Sequence, residues 1–248
     1  MRCLLAPLLL LTSPAFAQAQ AQTTSRTVSV GSFDRIRVEG PFEVRVTIGS
    51  PRATITRAGG GDDGIAVRVD GTTLSVRKGV GGWGEQRGSG GGSGGGGANG
   101  GPIVVTLSTP GLVAASVAAG GRLTIAKMRG MRVDVTVSGN GSLALAAADT
   151  DQLNATLIGT GEMTLAGRAA RARLIASGPG VIDASALVVN DLTVHLDGVG
   201  AIDAAARYTA QVTNAGLGTV TVGGTAKCRV DAAAGGPVVC GKPGAMAP

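Results

Sequence analysis

Aromatic residues are scarce in this chain of 248 residues, which contains one tryptophan, one tyrosine and three phenylalanines. Single-stranded nucleic acids are held largely by bases that stack on aromatic rings, so the scarcity disfavours a nucleic-acid-binding protein. It also disfavours a sugar-binding cleft of the usual aromatic-lined kind. Nucleic-acid binding therefore does not account for the formal net charge of +6.

Histidine and cysteine are also scarce, with one histidine and three cysteines. His195 occupies an outward position of an alternating segment, and no serine, cysteine or acidic partner can be assigned to it. The sequence therefore predicts no Ser-His-Asp or Cys-His centre. Two mature-chain cysteines and one distant histidine are too few ligands for a zinc site. We expect no catalytic residue, no metal and no cofactor.

The N-terminal segment, residues 1–17, has the features of a signal peptide. Arg2 precedes an apolar run at residues 4–11, and residues 15–17 form an Ala-x-Ala cleavage site. The run is too short to span a bilayer as a helix, and the mature chain offers no other transmembrane candidate. We expect a protein of the periplasm, the cell surface or the extracellular space, which also disfavours nucleic acid as a partner.

Glycine, by contrast, is abundant, and much of it is periodic: the chain has 43 glycines. Five segments read Gly-x-Gly followed by alternating apolar residues, and imperfect copies flank them. Counted over all seven copies, the second glycine recurs every 18 to 20 residues, at Gly121, Gly141, Gly161, Gly180, Gly200, Gly218 and Gly236. A period of this length predicts a solenoid of stacked coils.

Each coil is predicted to hold two short strands joined by the Gly-x-Gly corner. Around Gly141, apolar residues alternate through residues 133–137 and again at Leu143 and Leu145. Alternation predicts strands with one buried and one solvated face. Glycine suits the corner because it accepts positive φ and allows stacked backbones to approach. Asn214 falls at an inward position, which leaves either a register shift or a buried asparagine open.

The outward positions of the first strand are polar and are expected to form a solvated sheet face. Seven residues before the second glycine, successive coils present Asp134, Asn154, Arg173, Thr193, Gln211 and Arg229.

The region before the repeats, residues 33–78, contains short alternating segments separated by turn residues. Asp70 and Gly71 between two of them are typical of a hairpin. We expect an N-terminal antiparallel β cap that covers the first coil. The complete division is a signal peptide at 1–17, an N-terminal extension at 18–32, the cap at 33–78, a flexible Gly/Ser-rich loop at 79–101, the β-helix repeat domain at 102–241 and a C-terminal tail at 242–248.

Two cysteines of the mature chain fall in the last coil. Cys228 lies eight residues before Gly236 and Cys240 four residues after it, so both occupy inward positions on opposite strands. Export makes a disulfide between them chemically reasonable, and the alternative is two buried thiols.

The opening segment, residues 33–44, reads Phe-Asp-Arg-Ile-Arg-Val-Glu-Gly-Pro-Phe-Glu-Val and is followed downstream by the Gly-x-Gly coils. In this combination the chain resembles the bacterial head-GIN-domain family, whose members are described as auto-transporter adhesins, over about residues 28–241. The resemblance implies an all-β, right-handed parallel β-helix, and the left-handed hexapeptide pattern is missing. It carries no known catalytic residues.

Two carboxylates and a group of arginines are the candidate surface residues. Asp183 and Asp203 occupy the same position on adjacent coils. Stacked carboxylates could bind Ca²⁺ or act as an acid–base pair, whereas the alternative is two solvated side chains. Around the far bends lie Lys127, Arg129, Arg132, Arg168, Arg171 and Arg173. They would form a basic strip for anionic polysaccharide, lipopolysaccharide or a membrane surface, or else scattered solvated charge.

Three functions from different classes follow from these patterns. The first is a non-enzymatic adhesin or binding module that uses a solenoid face to bind envelope polysaccharide or a surface protein. The second is a structural or assembly scaffold of the cell envelope. The third is a β-helical polysaccharide lyase or hydrolase that uses Asp183 and Asp203. The fold alone cannot choose among them, and the oligomeric state stays open.

Overall fold

A computed structural model describes residues 23–58, 65–79 and 103–242 of the chain. The regular structure of these residues is entirely β, in 17 strands. The predicted signal peptide, nearly all of the Gly/Ser-rich loop and residues 243–248 lie outside the described residues. In chain order the strands are β1 (Thr23–Val28), β2 (Arg35–Glu39), β3 (Glu43–Ile48), β4 (Arg52–Ala58), β5 (Ile65–Asp70), β6 (Thr73–Lys78), β7 (Ile103–Thr109), β8 (Ala114–Ala118), β9 (Arg122–Ile125), β10 (Met128–Ser138), β11 (Ser142–Ile158), β12 (Glu162–Ser177), β13 (Val181–Asp197), β14 (Ala201–Asn214), β15 (Thr219–Gly224), β16 (Lys227–Asp231) and β17 (Val238–Lys242).

The strands of successive coils pair in parallel and build the predicted solenoid. Strand β11 pairs with β12 in parallel, with Leu143 beside Met163 near its start and Leu153 beside Ala172 further on. Strands β11 to β14 are long because each runs through one side of the coil, the far bend and the next side. The all-β solenoid predicted from the repeat is therefore confirmed.

The strands form one continuous hydrogen-bonded sheet that wraps around the coils, and we name two sides of it, sheet A and sheet B, by the strands that form them. Sheet A contains the strands that precede each Gly-x-Gly corner and runs in the order β5, β6, β2, β8, the C-terminal parts of β10 to β14, and β16. Sheet B contains the strands that follow the corner and runs in the order β1, β4, β7, β3, β9, the N-terminal parts of β11 to β14, β15 and β17.

The N-terminal region combines antiparallel pairing with a parallel coil. Among the described strands, the antiparallel pairs are β1–β4, β4–β7 and the β5–β6 hairpin, in which Asp70 faces Thr73 and Gly71 has a φ of 61°. Strands β2 and β3, by contrast, pair in parallel on both sides. They form a coil inserted between β6–β7 and β8–β9. Residues 35–48, which we expected to belong to the cap, are thus continuous with the parallel stack.

The core is a single apolar column inside the coils. Inward positions predicted from alternation are buried, as at Val133, Leu143 and Leu153, each at most 1% exposed. The column extends from Phe33 to Val222 as one cluster of packed side chains. Full burial of such a side chain stabilises the fold by about 1.5–3 kcal/mol relative to exposure. Because one coil cannot enclose its own apolar face, stability depends on stacking.

The two glycines of a corner are required for two reasons. In four of the five Gly-x-Gly segments the first adopts positive φ, which is 110° at Gly178 and 129° at Gly198, and Gly216 is the exception. The second is close to the coil below it, since a Cβ added at Gly180 would lie 2.7 Å from the carbonyl oxygen of Gly161. The amide of Gly180 also donates to the carbonyl of Gly159 at 2.9 Å. Corner glycines therefore permit both the turn and the close stacking of backbones.

Asn214 is a buried polar residue within the regular stack. It lies beside Leu196 in the β13–β14 register and has no solvent exposure. Of the two alternatives that the sequence left open, the buried asparagine is correct, and no register shift occurs at this position.

The last coil, formed by β16 and β17, is closed by a disulfide between Cys228 and Cys240, whose Cα atoms lie 6.4 Å apart. This confirms the predicted bridge. Both cysteines are only partly buried, and Val230 on β16 is 45% exposed. The reason is that no further described coil stacks on this end.

Candidate functional site

The outer face of sheet A presents polar side chains in rows that run along the solenoid axis. The row predicted from the sequence is confirmed, because Arg173, Thr193, Gln211 and Arg229 are direct register partners. A second row lies two residues earlier on each strand and contains Arg171, Asp191, Thr209 and Lys227. These eight residues are all exposed, whereas Asp134 and Asn154, further along the first row, are half-buried. Parallel strands in register bring these residues from different coils to about 4.8 Å spacing.

A shallow groove of about 170 Å³ lies along these rows, across β11, β12 and β13. One wall is hydrogen-bonded: the Nδ2 of Asn154 donates to the carboxylate of Asp134 at 2.8 Å, and Nε of Arg132 donates to the same oxygen at 3.1 Å. The groove is lined by Gln152, Leu153, Asn154, Arg171, Ala172, Arg173, Asp191 and Thr193. Amide, hydroxyl, guanidinium and carboxylate groups therefore converge on one concave surface.

The predicted basic strip is divided in the structure. Arg171 and Arg173 line the groove on sheet A. Arg168 lies on the far bend instead, beside Asp149, which has Arg129 on its other side. Charges alternate along that bend, and alternating charges attract rather than form a single anion-binding surface. Of the arginines of the predicted strip, Arg171 and Arg173 therefore share one surface, and Arg168 does not.

The two candidate carboxylates are adjacent, as the coil positions suggested. Asp183 lies directly beside Asp203 in the β13–β14 register. One oxygen of Asp183 accepts bonds from the backbone amide of Ser185 at 3.0 Å and from its hydroxyl at 2.6 Å. Among the described residues, no group of three or more histidine, cysteine or acidic side chains is placed to hold a metal ion. The local bonds of Asp183 are typical of a turn-capping carboxylate.

The sole histidine, His195, is half-buried on the outer face of sheet A. Its register neighbours on the adjacent coils are Ile175 and Thr213, neither of which is ionisable. The nearest carboxylate along the strand is Asp197, two residues further on. The arrangement does not assemble an acid–base centre from these residues.

One exposed aromatic residue was not identified from the sequence pattern. Val189 pairs with Ala206 but Asp191 pairs with Thr209, so Arg207 and Tyr208 together lie opposite Asn190. This bulge presents Tyr208 with 63% of its surface exposed. The hydroxyl of Thr225 donates to the carbonyl of Arg207 at 2.9 Å and supports the bulge from the next coil. The bulge is visible only in the register of β13 with β14, so the alternating pattern in the sequence contains no signal for it.

The described part of the chain includes no helix of the length and hydropathy needed to cross a bilayer.

The parallel coils with their Gly-x-Gly corners show that the chain is a β-solenoid protein. Residues 32–226 match the family described as "Putative auto-transporter adhesin, head GIN domain", and the chain belongs to that family. This confirms the family resemblance seen in the sequence. No curated protein matches the chain significantly.

Solved structures share the same fold. A putative adhesin from Bacteroides fragilis has a TM-score of 0.73 at 20% identity, over 90% of this chain and 98% of its own. A putative adhesin from Parabacteroides merdae has a TM-score of 0.66 at 14% identity, over 89% and 97%. A structure from Parabacteroides distasonis, named a putative lipid binding protein, has a TM-score of 0.64 at 17% identity, with the same two coverages. These likenesses establish the architecture.

Proposed function

We propose that this protein is an exported, non-enzymatic binding module of the bacterial cell envelope, an adhesin that contacts its target with an outer face of the solenoid. The observation that carries the proposal is the pair of exposed polar rows on sheet A, which place side chains from successive coils on one continuous surface. A rigid scaffold of this kind holds recognition groups at fixed spacing without further ordering cost. The names of the family and of two similar structures support the same function.

The chemistry of the rows favours a polar, hydrated target. Their hydroxyl, amide, guanidinium and carboxylate groups can each exchange a bond to water for a bond to a ligand, and ordered waters can bridge the remainder. Envelope polysaccharides and polar protein surfaces both present the complementary groups. A target of this kind can be bound without a large apolar patch, which agrees with the scarcity of aromatic residues in the chain.

A scaffold function in the envelope is the second candidate, and one observation favours it. Val230 of the last coil is 45% exposed, although its register partner Val212 on the preceding coil is fully buried. A protein partner that covered this end of the solenoid would bury Val230. Such a scaffold would bind another protein through the C-terminal coil and would show no affinity for glycans.

The test is an array of envelope polysaccharides, neutral glycans and envelope proteins probed with the purified protein. The same wells are assayed for released reducing ends and unsaturated sugars, with and without Ca²⁺. Saturable glycan binding without product supports the adhesin. Product formation would replace it with the polysaccharide lyase or hydrolase, and binding confined to proteins would favour the scaffold.

Export is tested separately by fractionating cells that express the full chain and by sequencing the N-terminus of the recovered protein. We expect recovery outside the cytoplasm with a mature chain that begins at Gln18. Full-length protein in the cytoplasm would contradict the proposal.

A further inference from the structure

Two pairs of cations lie on the rows of sheet A, one on β12 and one on β16 at the C-terminal end. Arg171 and Arg173 project from the outer face of β12, and Lys227 and Arg229 project from the outer face of β16. The pairs are separated by three strand spacings in register, through β13 and β14. At about 4.8 Å per spacing, they lie roughly 14 Å apart along the solenoid axis.

The surface between the cation pairs is polar and largely neutral. Thr193 and Gln211 occupy the space between Arg173 and Arg229. In the neighbouring row the carboxylate of Asp191 accepts a bond from the hydroxyl of Thr209 at 2.5 Å. These groups can donate to and accept from sugar hydroxyls, so the band offers hydrogen bonds between two positively charged ends.

Tyr208 is positioned at the side of this interval. The bulge in β14 places it next to Thr209, between the two cation pairs, with 63% of its surface exposed. Phe33 and Phe42 are buried in the core, so among the described residues Tyr208 is the aromatic side chain available to solvent. A ring in this position can pack against the apolar face of a sugar while its hydroxyl stays solvated.

We propose that this surface, which we name the sheet A band (Arg171, Arg173, Tyr208, Lys227 and Arg229), binds a polysaccharide whose sugars carry carboxylate groups, with the polymer lying along the solenoid axis. The inference rests on the proposed function and specifies its ligand class. Guanidinium groups pair with carboxylates through two parallel hydrogen bonds, and a polymer with repeated carboxylates can meet both cation pairs at once.

A polysaccharide fits the band better than a membrane surface does. Proteins that lie on anionic membranes combine clustered cations with apolar side chains that enter the acyl region. The sheet A band separates its cations by polar side chains, and Asp191 lies between them. A carboxylate at that point can accept hydrogen bonds from the hydroxyls of a sugar that lies between the two cation pairs.

The disulfide restrains the strand that carries the second cation pair. Cys228 lies between Lys227 and Arg229 on β16, and its bond to Cys240 ties β16 to β17. The second cation pair belongs to the last described coil, which has a neighbour on one side only. The disulfide therefore holds Lys227 and Arg229 at their spacing from β12.

The experiment measures binding of the purified protein to polygalacturonate, with neutral dextran and phosphatidylglycerol vesicles as comparison probes. The variants are Arg171→Gln/Arg173→Gln, Lys227→Gln/Arg229→Gln and Tyr208→Ala. The matched control is Arg52→Gln/Arg122→Gln, which removes the same charge from exposed positions of sheet B. Circular dichroism and urea midpoints establish that each variant is folded.

We expect each cation-pair variant to weaken polygalacturonate binding about tenfold, and Tyr208→Ala to weaken it about fivefold. The affinity of the control variant for polygalacturonate should stay within about twofold of that of the original protein, because exposed charges away from the ligand contribute little to binding. Short oligogalacturonates that reach one cation pair should compete poorly with the polymer. Equal binding to dextran, an equal loss in the control, or preference for the vesicles would overturn the proposal.

The glycan and protein array separates this inference from the proposed function. If the protein binds another envelope ligand and the sheet A variants leave that binding unchanged, the adhesin function stands and the acidic-polysaccharide site is wrong. If the protein binds nothing on the array, both proposals fail.

Discussion

The side-chain amide of Asn214 hydrogen-bonds across the corner of its own coil to Gly218. Its Nδ2 donates to the carbonyl oxygen of Gly218 at 2.8 Å, and its Oδ1 accepts from the backbone amide of Gly216 at 3.1 Å. The residue is fully buried at a position that is apolar in other coils. Its polar atoms satisfy backbone groups that would otherwise face the core, which explains why a polar residue is tolerated there.

Removal of this amide should destabilise the protein. We expect Asn214→Ala to lower the free energy of unfolding by about 2–3 kcal/mol, because the partly buried amide of Gly216 and the buried carbonyl of Gly218 each lose a partner. Urea titration followed by circular dichroism measures the change. Thr219→Val, on the exposed face of the next strand, is the control and should change stability by less than about 0.5 kcal/mol. Equal losses in the two variants would contradict the assigned role.

The second glycine of a corner should resist even the smallest side chain. Gly180→Ala would place a methyl group 2.7 Å from both the carbonyl oxygen of Gly161 and a methyl of Leu157. We expect a loss of about 1–3 kcal/mol from this overpacking, measured by the urea midpoint. Gly111→Ala is the matched control, since a Cβ there would meet nothing within 4 Å. Its expected effect is neutral or slightly stabilising. A tolerated Gly180→Ala would show that coil stacking is less tight than described.

The disulfide should stabilise the end of the solenoid more than its middle. We expect Cys228→Ser/Cys240→Ser to lower stability by about 2–4 kcal/mol, an amount typical of a bridge that closes a short loop. Hydrogen exchange should show lost protection in β16 and β17 with protection retained in β12, because each coil contacts only its neighbours. The control is the original protein under reductant, which should reproduce the same pattern. Uniform loss of protection would point to a global role for the bridge.

The stacked carboxylates of Asp183 and Asp203 should repel one another. We expect Asp203→Asn to stabilise the protein by a few tenths of a kcal/mol at low ionic strength, since like charges directly opposite on neighbouring strands are unfavourable. The gain should vanish in high salt, where exposed charges are screened. Thermal unfolding at two salt concentrations measures it. A loss of stability in the variant only when Ca²⁺ is present would instead support a cation site at this pair.

Much of the sheet architecture could be predicted because the signals are local. Alternation of apolar residues, as in residues 133–137, decides which side of a strand faces the core, and this depends on strand geometry alone. The corner glycines mark the coil boundaries, so counting back from them placed Arg173, Thr193 and Gln211 in one row correctly. The same counting placed Cys228 and Cys240 on facing strands.

Other features could not be read from a local pattern. Strands β2 and β3 are inserted between β6–β7 and β8–β9. The strands of this region therefore do not stack in the order in which they follow one another along the chain. Each of these strands has the same alternating pattern as its neighbours, so alternation cannot specify which of them pair. The exposed state of Tyr208 depends likewise on a bulge, which appears only when the register of β13 with β14 is known.

The sequence by itself determined the repeating coil, its buried column and its polar outer face, because strand alternation and the demands of the Gly-x-Gly corner act within single coils. Only the tertiary structure decided where the far bends and the bulge place the remaining surface residues. It separated Arg168 from Arg171 and Arg173, and set Tyr208 between two cation pairs. The physical reason is that register between coils depends on how each far bend accommodates its own length, and that is settled by packing across the whole stack.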